Sequence, residues 1–447
     1  MKRYVAMLAI TLIAGPGCAF GNAILDNGFG AQSQAMGGAD VAYAASPLGA
    51  MGANPAALGF YSKAWLEVGG VGGFVNGHFE KPGVSSGNLD GQPHALPEGA
   101  FAIPFLKQLP VPVTVGLSFV PESNVLANWN YNDPPGGLGG VSYGEREDKS
   151  EILLLRSALG AAVQITPQLS VGASVGLLYN KNELDAPYIF QHLGSGPGGA
   201  GNSGLDGAKT LLNLQTEGLA WNAQVGALYK ITPDLQVGIS YESQSTVVST
   251  GDAYGDPSRQ FGAPDGTLPF HYDATVTNTF PQVVRAGVSW KFQPQWRVAG
   301  QLDWIDWSDA FNHLPLAFRN GSNTGVNAAL GSSFTESTPL SWQSEFVYRL
   351  GFEYDVLPEL ALRIGYAYGN NPVPENTTTP LTAAVFQHTI TAGVGYHWKN
   401  YHVDFAYQYD VPATVNIGTS ELRSGEYSGS SIEVSAHEFT LSTGIEF

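Results

Sequence analysis

The sequence predicts an all-β fold, with fourteen antiparallel strands closed into a transmembrane β-barrel. Three observations carry that expectation. Charged residues are only 13% of the 447, against about a quarter in soluble domains, while 43% are hydrophobic and 56 are glycine. Apolar and polar residues alternate with period two over runs of ten or more, longer than the ~5–6 residues of an ordinary strand. The connections between these runs are short and long in turn.

Residues 1–22 read as a secretory signal peptide: Lys2 and Arg3, an apolar run from Val5 to Ala14, then small residues up to a cleavage point near Ala23. That run is too short to span a bilayer as a helix. The single cysteine, Cys18, lies within it, and Gly15 stands three places earlier where a lipoprotein signal carries an aliphatic residue, so lipidation is not expected. The mature chain then has no thiol for a disulfide or a metal. Loss of residues 1–22 removes Lys2 and Arg3 and no acid, which moves the formal net charge from −18 to −20. No basic run remains, which argues against nucleic acid as a partner. Nor does any later segment offer about 18 consecutive apolar residues, so a membrane could be crossed only by strands.

The alternation is explicit in "LSVGASVGLLY", where Leu169, Val171, Ala173, Val175, Leu177 and Tyr179 face one way and Ser170, Gly172, Ser174 and Gly176 the other. Phe439, Leu441, Ile445 and Phe447 oppose Glu438, Thr440, Ser442, Gly444 and Glu446 in the same manner. The sequence contains no amphipathic helical stretch to cover such apolar faces, which leaves lipid to do so. Short turns fall at 166–168, 232–234, 293–295, 357–359 and 399–400, and long Gly/Pro/Asn/Ser-rich loops at 185–215, 255–280, 311–343, 371–387 and 411–434. Short periplasmic turns opposite long outer loops are the pattern of an outer-membrane barrel. In lipid the sheet must close, because an open edge leaves backbone groups unpaired.

Strands are expected near 65–75, 99–105, 111–120, 151–166, 169–182, 216–231, 235–250, 282–292, 296–308, 345–356, 360–370, 388–398, 401–410 and 435–447. Pro104, Pro110, Pro112 and Pro121 interrupt or bound the second and third, so the wall is expected to be irregular there. Residues 65–447 form the barrel, and residues 23–64 either hang below it or fold up inside. Within that segment "GANPAAL" reads as a compact bend, Asn54 capping one helical turn that starts at Pro55. The terminal Phe447 suits a closing strand read by the outer-membrane assembly machinery.

Several stretches carry a family resemblance: "GFGAQSQAMGGADVAYAASPLGAMGANPAAL" (28–58), "GLAWNAQVGALYKITPDLQVGISYES" (218–243), "FPQVVRAGVSWKFQPQWRVAGQLDWIDWS" (280–308) and "YRLGFEYDVLPELALRIGYAYGNNPVPE" (348–375). Together they resemble the FadL-type outer-membrane transporters of long-chain fatty acids and other hydrophobic compounds, aromatic hydrocarbon channels included. The resemblance implies that residues 23–64 are a hatch plugging the lumen, with Asn54, Pro55 and Ala56 as its motif. It also implies a kinked third strand and a lateral opening, carried over to Val115, Gly116 and Leu117, through which a hydrophobic substrate leaves into the bilayer. Where the family places a lysine on the tenth strand, this sequence has Ser344 or Glu345, which favours neutral hydrocarbons over carboxylates.

Polar lumen candidates are Arg285, Arg297, Arg349, Arg363 and Glu345; the plainer reading is that the arginines balance Asp303, Glu353, Asp404, Glu438 and Glu446. Trp304, Trp307, Phe311 and Phe318 are candidates for an apolar ligand groove. Loop phenylalanines 190, 261, 270, 311, 318 and 334 either fold over a hydrophobic access site or pack on one another. Gly172 to Gly176 matches the nucleophile-elbow pattern but lies mid-strand, where no sharp turn exposes Ser174. His388, His397, His402 and His437 read as girdle or lumen residues, not metal ligands. The expected function is a passive channel for hydrophobic small molecules in the bacterial outer membrane, a monomer without catalysis, metal or cofactor, contacting outer-membrane lipids and lipopolysaccharide. The rivals are a lipid-modifying enzyme, which needs a Ser/His pair on the lipid face, and an adhesin or receptor on the same barrel.

Overall fold

A computed structural model describes residues 24–91, 93–105, 112–195 and 202–447; the signal peptide expected at 1–22 lies outside the described residues. The wall has fourteen antiparallel strands. In chain order they are Trp65–Lys81; Ser85–Leu89 with His94–Pro104; Val113–Asn132; Glu145–Gln164; Leu169–Ile189; Lys209–Lys230; and Leu235–Glu242 with Ser245–Asp256. Then follow Phe270–Phe280 with Val283–Gln293; Trp296–Ile305; Glu345–Leu357; Leu360–Gly369; His388–Trp398; Tyr401–Ile417; and Ser430–Glu446. The first strand pairs with the fourteenth from Trp65↔Glu446 to Glu80↔Ser431, which closes the sheet.

Parity places the side chains as the alternation requires. Leu159, Trp221 and Ile364 are 58%, 67% and 55% exposed on the outer face, while Ser170, Gln224 and Thr391 are buried inside. Most strands run farther outward than the apolar pattern does: the fifth reaches Ile189 and the thirteenth Ile417. Above the lipid the outward residues turn polar, as at Lys181 and Glu183, but the backbone ladder continues. Residues 270–280, expected as loop, are therefore strand, and His313–Arg319 with Phe334–Pro339 forms a hairpin that continues the wall outward.

The ladder between the second and third strands is broken. Gly99–Pro104 pairs with Thr114–Phe119 and Gly87–Leu89 with Trp129–Tyr131, while neither register includes residues 120–128. On the other edge Pro121 pairs with Leu155 and Ser123 with Leu154, which leaves Glu122 as a bulge. The extra residue bends the strand, and Pro121 offers no N–H to the ladder. This corrects the expected opening at Val115, Gly116 and Leu117, which pair with the second strand on one side and the fourth on the other.

Residues 24–64 fold against the inward side chains of the wall through a short helix at Ala31–Ala35, another at Pro47–Ala53 and a 3-10 turn at Pro55–Phe60. Ser46 caps the second helix through the Gly49 N–H. The chain reverses at Gly37 and Gly38, both at positive φ. A Cβ at Gly38 would lie 1.8 Å from the Asn27 carbonyl oxygen, so only glycine fits the turn.

Candidate functional site

Segment 24–64 exposes backbone polar groups to the lumen, and wall side chains satisfy them. Gly30 N–H donates to Glu98 (3.0 Å), Ala31 N–H to Ser442 Oγ (2.9 Å), Val41 N–H to Gln301 (2.8 Å) and Leu48 N–H to Glu67 (3.1 Å). Carbonyls accept in turn: Ala53 from Ser240 Oγ (2.7 Å), Ala56 from Ser170 Oγ (2.6 Å), and Gly52 from the Gln224 amide (2.9 Å). Asn54 caps the turn through the Ala56 N–H, and its amide reaches the carbonyls of Val41 (2.8 Å) and Ala227 (3.2 Å). Asn54, Pro55 and Ala56 are fully enclosed, with the cap tied directly to the sixth strand. The Asp40 carboxyl of this segment is pushed up to about 7 by burial, against the stabilising donation of the Ser33 hydroxyl.

The four candidate arginines bind wall acids, and two of these four also bind the segment. Arg349 bridges Asp303 (2.7 Å), Asn27 Oδ1 (2.7 Å) and the Gly37 carbonyl (3.1 Å). Arg297 meets Glu353 (3.4 Å) and lies 3.6 Å over the Tyr43 ring. Arg363 pairs with Glu353 (2.8 Å) and Asp404 (2.6 Å), and Arg285 with Glu242 (2.9 Å). Asp303, Glu353 and Asp404 are thus partners as the plainer reading had it, whereas Glu438 takes the Gln34 amide and Glu446 takes Lys63 and His402. Buried Glu345 accepts the Trp307 indole N–H (2.9 Å).

Above the segment lies a cavity of about 200 Å³, lined mainly by apolar side chains that include Ile24, Val125, Leu316, Leu340, Trp342 and Leu381. Among the described residues, two charged ones line it. Arg423 is directed to the Gln191 carbonyl (3.2 Å) and Asp206 (3.5 Å), and Glu426 to the buried Lys209 (2.7 Å), whose second partner is Asp133. Neither charge is left over for a ligand carboxylate. Val125, Leu381 and Ala384 are shared with a smaller apolar cavity bounded by Leu89, Leu126, Ala127 and Trp129, the residues that flank the broken ladder. Downward, by contrast, the spaces are lined by Asp26, Asp40, Glu122, Arg285, Asp303 and Arg349.

Of the groove candidates, Phe311 lines the cavity and Trp307 packs one ring behind it, with centroids 5.2 Å from Phe311 and 5.0 Å from Trp342. Trp304 and Phe318 are corrections. Trp304 sits in the outward row between Val284 and exposed Phe346, on the lipid side. Phe318 stacks on Phe334 (4.7 Å) in an outer cluster with Phe190, Phe270 and Tyr272, so these loop aromatics pack on one another. Ser174 is held by Arg156 (2.9 Å) under the amino-terminal segment, remote from the lipid face. Trp342, Leu381 and Lys209 were missed, since the first two lie in loops and the third on the outer extension of the sixth strand, where no apolar periodicity marks them.

Residues 10–447 match the family described as outer membrane protein transport protein (OMPP1/FadL/TodX). The chain belongs to that family. It is therefore an outer-membrane transporter of the hydrophobic-compound class, not an enzyme. The fold of this FadL/TodX-type barrel is shared by the Ralstonia pickettii toluene transporter TbuX, 21% identical over 94% of this chain and 99% of that one, TM-score 0.70. It is shared by the P. putida toluene transporter TodX at 20% identity, 94% and 99% coverage and TM-score 0.73. A Pseudomonas aeruginosa FadL homologue is 14% identical over 95% and 99%, TM-score 0.72. No curated protein matches the sequence.

Proposed function

We propose that the protein is a passive channel for small neutral hydrophobic molecules, which collect in the upper cavity and leave sideways into the bilayer through the break between the second and third strands. Residues 24–64 are the hatch that closes the axial route. The observation that carries this reading is the continuous apolar lining from the cavity, through Val125 and Leu381, to Leu126 and Ala127 at the break. Apolar surface gains roughly 25 cal/mol per Å² on leaving water, so such a molecule favours that path over the charged space beneath. An apolar cavity of about 150 Å³ is known to hold benzene, which makes the space here adequate for a monoaromatic compound. The partners of the wall are lipids: outer-membrane acyl chains around the girdle, lipopolysaccharide against the outer extensions. Phe447, 66% exposed at the end of the closing strand, is available to the assembly machinery, and a monomer suffices for transport.

The test is uptake of radiolabelled toluene and oleate by cells that lack their own transporter. The protein is expected to speed toluene entry at least severalfold and oleate little. Equal rates with and without the protein for both compounds contradict the channel.

A further inference from the structure

A second space opens at the periplasmic mouth, a pocket of about 330 Å³ bounded by Tyr43, Phe60 and Tyr61 of the amino-terminal segment and by Trp65, Leu228 and Lys230 of the barrel wall. Among the described residues, three charged groups line it: Lys63, Lys230 and Glu446. Two of them cancel, since Glu446 takes Lys63 at 2.8 Å and His402 at 3.1 Å. Lys230 is different. Among the described residues no carboxylate or other hydrogen-bond acceptor meets its Nζ, which rests 3.7 Å over the centre of the Phe60 ring. An ammonium has three donors, and one ring face occupies a single side of it. Lys230 is half-buried, and its Nζ is not among the polar atoms sealed from solvent, so an anion can reach it. The pocket thus offers aromatic walls and one unmatched, accessible positive charge.

We infer that this pocket binds a small aromatic carboxylate, its anionic end paired with Lys230 Nζ and its ring packed among Tyr43, Phe60 and Trp65. A space of about 150 Å³ holds benzene, so this one admits a single ring with its carboxylate. A hydrogen bond between two ionised groups is the strong kind, and here it forms beside aromatic surface that also leaves water. A neutral ring makes only the second contact, and a bare acetate only the first. Because the lining comes from both the amino-terminal segment and the wall, the complete site exists only while the segment is docked. Occupancy therefore holds the segment in place. The site is separate from the upper cavity and stands apart from the channel reading.

The experiment offers benzoate, benzyl alcohol and acetate to the detergent-purified full chain. Binding is read by calorimetry, and docking by the rate at which an added protease cleaves within residues 24–64. Benzoate is expected to bind at one site and, at a hundred times its Kd, to slow cleavage about a hundredfold. Benzyl alcohol and acetate should each bind about tenfold more weakly or worse. Lys230→Met keeps the apolar stem without the charge and should weaken benzoate about tenfold or more, while Lys230→Arg should retain it. Should the methionine variant not fold, the comparison of benzoate with benzyl alcohol on wild type decides alone. Absence of benzoate binding, equal binding of benzyl alcohol, or a folded methionine variant that binds benzoate as wild type does overturns the site. Benzoate binding that leaves cleavage unchanged overturns the link to docking. Toluene uptake enters neither measurement, so each of these failures leaves the channel reading standing.

Discussion

Arg349→Leu is expected to release the hatch. The guanidinium ties Asp303 on the ninth strand to Asn27 and Gly37 of the amino-terminal segment, so one substitution removes three contacts at once. It also strands Asp303, only 2% exposed, without its 2.7 Å partner. Breaking a buried pair from one side is unfavourable by about 3–5 kcal/mol. If most of that acts on docking, cleavage within residues 24–64 by an added protease speeds up about a hundredfold or more. Cells should also become sensitive to small hydrophilic antibiotics. Arg363→Leu breaks Glu353 and Asp404 contacts within the wall and serves as the comparison: it should lower the melting temperature without the gain in antibiotic entry. Equal leak from the two variants contradicts the role given to Arg349.

Deletion of Glu122 combined with Pro121→Val is expected to abolish most hydrocarbon uptake while leaving a folded barrel. Glu122 is the one residue of the third strand with no counterpart on the fourth, so its removal restores one-to-one register from Val113 to Asn132. Valine returns the N–H that proline withholds, and the straightened strand can then continue its ladder with the second. Arg156 loses a 3.3 Å contact with Glu122 but keeps Asn222, Ser174 and the Met51 carbonyl, so the lumen charge stays partnered. Uptake should fall at least tenfold, with a heat-modifiable band on gels showing that the barrel has closed. Undiminished uptake by such a barrel rules out the break as the exit.

The spanning part of the wall was legible because lipid imposes a strict requirement: Leu169 to Tyr179 must be apolar at every second place, and nothing else in the chain could cover that face. Beyond the lipid the requirement lapses. Past residue 182, Glu183 and Asp185 alternate with nothing that marks a strand, so the expected strand stops there and the rest of the outer extension reads as loop. The break had a visible signal that the resemblance displaced. Leu117 and Phe119 face outward on odd positions, but Trp129 and Tyr131 face inward on odd positions, which requires one inserted residue between them. Pro121 marks where. The cavity was not legible, because its walls come from Val125, Phe311, Trp342 and Leu381, brought together only by the closure of the barrel. Trp304 and Phe318 show the converse: an aromatic near a strand end has the same composition whether it faces lipid, a loop cluster or a ligand.

The lateral route is tested most directly by reversible blockage at two places. Leu126→Cys puts a thiol beside the break, and Ser62→Cys puts one in the cavity of about 330 Å³ at the periplasmic mouth. Cys18, the one native cysteine, is replaced by serine in both variants, so each reports on its own position. Toluene uptake is measured before treatment, after reaction with a bulky aromatic methanethiosulfonate, and after reduction. Lateral exit predicts that modification at position 126 stops uptake and reduction restores it, while modification at position 62 has no effect. Blockage at position 62, with uptake unchanged by modification at 126, would mean that the substrate travels down the barrel axis.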